Sequence, residues 1–136
     1  MNTRGHLRRA VELIEKHGLL TGDSDGFIGP NGELDVCLAI YQGATGVLPE
    51  VFRTDADAAI ELIKASVWAM AAIRAVYDTL DSSMDADGPD EVIDRVSHWA
   101  NTAPDRHSRP PTRTEVMGRL LRVAEDLDHK ATALAA

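Results

Sequence analysis

The sequence is poor in the residues that staple small secreted proteins or fill aromatic cores. A single cysteine, Cys37, cannot form an internal disulfide, so the fold must rest on non-covalent packing. Only six side chains are Phe, Trp or Tyr, which leaves Ala, Leu, Val and Ile to build the core, the usual material of packed helices. No apolar run approaches the ~20 residues that cross a bilayer. The longest, Ala65 to Val76, is interrupted by Ser66 and Arg74. The first twenty residues lack the basic start and apolar centre of a secretory signal. These absences lead to the expectation of a cytoplasmic chain without a membrane span. Its 136 residues suit a single domain, 1–136, able to bury a core without metal or disulfide.

Lysine is also scarce, with three against eleven arginines, and the formal net charge is −8. Phosphate backbones are held by clustered Lys and Arg, so general nucleic-acid binding is not expected. The charge is unevenly spread. Asp78 to Asp94 holds seven acids and no base, whereas Arg106, Arg109, Arg113, Arg119 and Arg122 lie close together beside His107. Such asymmetry can steer a protein partner.

The hydrophobic period is helical along most of the chain. Leu7, Ala10, Val11 and Ile14 form one apolar face, Arg8, Glu12 and Lys16 a charged row opposite, and Gly18 a stop. The breaker-rich segment that follows holds two short strand candidates, Phe27-Ile28 and Glu33-Leu34, which could pair as a small β-hairpin across Pro30-Asn31-Gly32. Asp35 is placed to cap a helix carrying Val36, Cys37, Leu38, Ile40 and Tyr41, ended by Gly43 to Gly46. From a Thr54 cap, the spacing of Ile60, Ile63, Val67, Met70, Ile73, Tyr77 and Leu80 predicts one long helix to about Leu80. Its second half is apolar on nearly every face, which marks it as the central core helix or as a subunit interface, with a homodimer as one reading.

Ser82 to Gly88 reads as an acidic connector, and Pro89 as the first residue of a helix through Val92, Ile93, Val96, Trp99 and Ala100. Pro104 to Pro111 ends it, and Thr112 with Glu115 has the spacing of a capping box. A last helix carries Met117, Leu120, Ala124, Leu127, Ala131 and Leu134. The expected fold is therefore mainly α: about five helices around one long central helix, with a small β-hairpin in the N-terminal third.

Four pieces, Ala10-Val-Glu-Leu-Ile-Glu-Lys-His-Gly18, Cys37-Leu-Ala39, Trp99-Ala-Asn101 and Arg113-Thr-Glu-Val116, occur in the order found in an uncharacterised family of small proteins of actinobacteria and their phages. The chain resembles that family, with Cys-x-x-Gly-Ala-like and Trp-Asn-Asp-like motifs. It departs at Ile40, where the family tends to have Gly, at Ala100, which separates Trp99 from Asn101, and at Asp105 to Pro111, which looks like an insertion. The resemblance implies a helical fold and no particular activity.

Few constellations carry chemistry. Asp85-Ala-Asp87-Gly88 does not fit a calcium loop, because Asp90 falls at the apolar eighth position and Asp94 replaces the terminal Glu. None of the five histidines has the spacing that places two metal ligands on one helical face. No metal or cofactor is implied. Asp35 beside Cys37 would raise the thiol pKa and favours a buried core cysteine over a nucleophile. The best acid–base candidates are His98 and Asn101, with Tyr41 as a third pocket residue and with His107 and Asp105 across the loop. Arg106, His107, Arg109 and Arg113 on the proline-stiffened loop are the candidate binding residues, suited to carboxylate or phosphate recognition.

The leading expectation is a non-enzymatic protein-interaction or regulatory module of actinobacterial or phage origin, acting through the Arg-rich loop or the acidic connector. The alternative is a small-molecule-binding protein or weak hydrolase with a pocket near His98.

Overall fold

The computed structural model describes residues 2–22, 26–80 and 88–135. Among these the protein is mainly helical, with seven helices: α1 (Thr3–His17), α2 (Val36–Thr45), α3 (Val51–Thr54), α4 (Ala56–Ala65), α5 (Val67–Tyr77), α6 (Pro89–Asn101) and α7 (Arg113–Ala135). The connector reading of residues 82–88 lies almost wholly outside the described residues, as does the Asp23-Ser24-Asp25 turn.

Asn2 starts α1 by accepting from Gly5 N at 3.1 Å, and Gly18, at φ 91°, ends it. The apolar face of α1, Leu7, Ala10, Val11 and Ile14, is buried against α2 and α7. Of the charged row, Arg8 pairs with Asp128 of α7, where it is joined by Arg4 through Nε at 2.9 Å.

The central position belongs to α2 rather than to a long helix over 54–80. Every residue from Val36 to Tyr41 is buried, and Asp35 caps the helix through its side chain. Gly43 does not end α2. It sits inside the helix where an added Cβ would stand 2.8 Å from the His6 carbonyl oxygen, so α1 and α2 meet almost backbone to backbone. Gly46, at φ 77°, is the residue that terminates it.

The predicted long helix is two helices. Thr54 ends α3, and Asp55 caps α4 by accepting from Ala58 N. Ser66 is extended at φ −90° and ψ 108°, and its hydroxyl accepts from Ala69 N at 3.1 Å, which caps α5. A serine offers the backbone this alternative to a continuous helix. The apolar period runs through the break because α4 and α5 both face the same core. Nor is α5 surrounded, since Val67 and Trp68 are 76% and 59% exposed.

The β-hairpin does not form either. Among the described residues there is no strand, only isolated bridges of Leu34 to Leu19 and to Ile28. Leu34 is already engaged by the chain leaving α1, through Leu34 N to Gly18 O and Leu20 N to Leu34 O. Asp35 begins the next helix, so no residues remain to extend a ladder. Gly29 N to Glu33 O and Asp35 N to Phe27 O flank the single Ile28–Leu34 bridge, and the pairing goes no further.

Pro89 stands in the first turn of α6, whose Val92, Ile93, Val96 and Ala100 are buried. Asn101 is its last helical residue, and its carbonyl accepts from Gly22 N at 3.0 Å. The capping box at the start of α7 forms as its spacing requires: Thr112 Oγ1 accepts from Glu115 N, and Glu115 Oε1 from Thr112 N. The stripe on α7 is buried at Leu120 and Ala124 and partly covered at Met117 and Leu127, whereas Leu134 is 90% exposed. One core joins residues of all seven helices. Among the described residues no helix is long and apolar enough to cross a membrane.

Candidate functional site

An open cleft of about 1530 Å³ lies between the end of α5, the outer face of α6, the proline-rich segment and the first turns of α7. Its position follows from helix geometry. Arg95, His98 and Trp99 are three and four residues apart on α6, so they share a face. Arg119 and Arg122 come onto the facing side of α7 by the same spacing.

Trp99 is half-buried and anchors the cleft. The Arg119 guanidinium lies 5.4 Å from its ring centroid and donates through Nη1 to both Thr79 O and Thr79 Oγ1, each at 3.1 Å. That arginine is held in place before any ligand arrives. Arg109 is held too, with Nη1 2.6 Å from Glu115 Oε1 and also bonded to Pro110 O. The Arg109 bond, with the Thr112 bonds behind it, brings the Glu115 carboxyl down to about 2. Arg122 has no ion pair or side-chain hydrogen bond among the described residues. Four arginines line the cleft against three carboxylates, in a chain whose formal net charge is −8.

Of the four residues singled out on the loop, His107 and Arg109 line this cleft. Arg113 and Arg106 are exposed and are not among its lining residues; Arg106 Nε donates to His107 Nε2 at 3.4 Å. Asp105 does not orient an imidazole. Its Oδ1 accepts from His107 N at 2.7 Å and Ser108 Oγ at 3.1 Å and so shapes the loop. Arg95 escaped the sequence reading, although its position three before His98 and four before Trp99 was the signal that could have found it.

A smaller cavity of about 310 Å³ lies on the other side of the α6 C-terminus, with Asp35, Ser97, His98 and Asn101 on its walls. His98 thus borders both concavities. Tyr41 borders neither: it is buried with its ring 5.1 Å from that of Phe52. The three residues proposed to share a pocket are therefore not brought together, though His98 and Asn101 are.

The floor of the small cavity is a clamp between helices. Asp35 Oδ1 accepts from Cys37 N at 2.8 Å and from Ser97 Oγ at 3.0 Å. Burial raises the Asp35 carboxyl to about 6 against those bonds. The Ser97 hydroxyl proton is committed to this bond. Cys37 is fully buried; burial, reinforced by Asp35, pushes its thiol well up, and Sγ donates to Ile93 O at 3.5 Å. Among the described residues no group of three or more His, Cys, Asp or Glu side chains could hold a metal ion.

Comparison with family models, with curated proteins and with solved structures finds no significant match to this chain.

Proposed function

We propose that the protein is a non-enzymatic interaction module whose cleft docks an acidic segment of a partner protein. The observation that carries this reading is the open cleft of about 1530 Å³ with four arginines around Trp99. Arg119 is positioned by bonds to the neutral Thr79 oxygens, which lowers the ordering cost of receiving a carboxylate, whereas Arg109 is already paired with Glu115. Arg95 and Arg122 complete the basic lining. The overall charge of −8 repels a long polyanion, whereas a short acidic segment meets only the local field. Origin in actinobacteria or their phages, and a cytoplasmic site of action, belong to the same proposal and rest on the sequence motifs and composition.

The test is fluorescence anisotropy with short Glu- and Asp-rich peptides, set beside Lys-rich peptides of equal length. Selective binding of acidic peptides, weakened about tenfold or more by Arg95→Glu with Arg122→Glu, supports the reading. Equal binding of both peptide classes, or acidic binding untouched by the double reversal, overturns it.

The small cavity favours a second reading, a small-molecule binder. About 310 Å³ lies at the lower end of ligand pockets, and a buried carboxylate with a histidine and an amide on its walls provides polar contacts. A small molecule that raises the melting temperature of the native protein, but not of Asn101→Leu, would favour this reading over the first.

A further inference from the structure

We propose that the outer face of α5 is a self-association surface on which two copies pack antiparallel about a two-fold axis at Ala71. At 100° per residue, Val67, Trp68, Ala71, Arg74, Ala75 and Asp78 fall on one side of α5. All are exposed except Ala75, which is half-buried. Among the described residues Val67 and Trp68, neighbours in sequence, are the most exposed large apolar side chains outside the end of α7. Among the described residues Trp68 has one ring neighbour, His6, edge-on with centroids 6.0 Å apart, and 59% of its surface is exposed. No side-chain hydrogen bond or ion pair engages Arg74 among the described residues.

The pattern is complementary to itself, and this argues for a second copy as the occupant. An antiparallel pairing centred on Ala71 brings each position n residues before it against the position n residues after it on the other copy. Trp68 then faces Arg74 of the second copy, and Val67 faces Ala75. Each dimer holds the Trp–Arg contact twice, as a guanidinium over an indole face. The two Arg74 side chains do not meet. At the crossing itself stands Ala71, small enough to let the helix axes approach to ~8 Å. A two-fold interface requires this property, since one patch must serve as both partners. The face is separate from the cleft, so the two proposals stand or fall independently.

Sedimentation velocity over a range of concentrations tests the idea, with circular dichroism and thermal melting confirming that each variant folds. Wild type is expected to shift reversibly from monomer to dimer. Arg74→Glu weakens the dimer about tenfold or more, whereas Arg74→Lys retains it. Ala71→Arg, a change at an exposed helical position, leaves a folded monomer. Ala71→Cys cross-links to its own copy under mild oxidation, because the two-fold axis passes beside it, while Leu121→Cys on α7 does not. A protein that stays monomeric at all concentrations overturns the proposal. So does a dimer that Ala71→Arg leaves intact, or an Ala71→Cys variant that fails to cross-link.

Discussion

Ser97 Oγ on α6 donates a 3.0 Å hydrogen bond to Asp35 Oδ1 at the start of α2, joining residues 62 positions apart in sequence. The same carboxylate oxygen caps α2 by accepting from Cys37 N. One side chain therefore fixes where the central helix begins and where α6 lies upon it. It is 4% exposed, and no cationic side chain is ion-paired with it among the described residues.

That arrangement has a sign in pH. The Asp35 carboxyl is raised from 3.8 to about 6 in the folded protein, so between those values the folded state holds a proton that the unfolded chain has lost. Stability contributed by Asp35 is full below the unfolded value and is lost as pH rises through about 6, by about 3 kcal/mol. Asp35→Asn keeps the capping oxygen and removes the charge. Urea denaturation from pH 4 to pH 8 should show the variant gaining on wild type by that order as pH rises. Parallel profiles would show that the carboxylate is not desolvated.

Gly43 and Gly118 offer a paired test of packing. Alanine normally improves a helix interior by ~1 kcal/mol over glycine. At Gly43 a Cβ would stand 2.8 Å from His6 O and 3.0 Å from Ala10 N, both backbone atoms that move only with α1. Gly43→Ala is therefore expected to destabilise by about 1–3 kcal/mol. At Gly118 nothing lies within 4 Å, and Gly118→Ala should stabilise. Thermal melts of both decide the matter; a neutral Gly43→Ala would mean that α1 and α2 can separate at little cost.

Local chemistry was legible in the sequence, and direction in space was not. The Asp35 cap, the Pro89 helix start and the Thr112–Glu115 capping box each follow from bonds within a few residues, and each forms. Ser66 breaks a helix that the apolar period carries straight through, because periodicity registers which face is buried rather than whether the axis turns. The hairpin stops at one bridge, Ile28 to Leu34, because Asp35 turns into α2 directly after it, and the pairing of Leu34 with the chain leaving α1 on its other edge has no local signature. At the cleft, the loop residues His107 and Arg109 were found by composition. Arg119 and Arg122 belong to the same cluster in sequence, and Arg95 joins them only once α6 and α7 face each other.

Cys37 should be chemically silent in the native state. It is fully buried, and desolvation, reinforced by Asp35, holds the thiol protonated well above the usual range. A thiol reagent such as 5,5′-dithiobis(2-nitrobenzoate) is expected to label none of it in native protein and one equivalent in denaturant. Rapid native labelling would mean that α2 opens readily from the α6 side.

Asp128 is the point at which the second half of α7 is held to α1. Its carboxylate pairs with Arg8 and with Arg4 Nε at 2.9 Å, and the Arg8 bond lowers its pKa from 3.8. The stabilisation is present above pH 3.8 and is lost as pH falls through the depressed folded value. These side chains are a third to a half exposed, at 32%, 46% and 35% for Arg4, Arg8 and Asp128, so solvent screens the pairs and the contribution is small. Asp128→Asn should melt measurably below wild type at low ionic strength and converge with it at about 1 M salt, where the Debye length is ~3 Å. A deficit that persists in high salt would assign Asp128 a packing role instead of an electrostatic one.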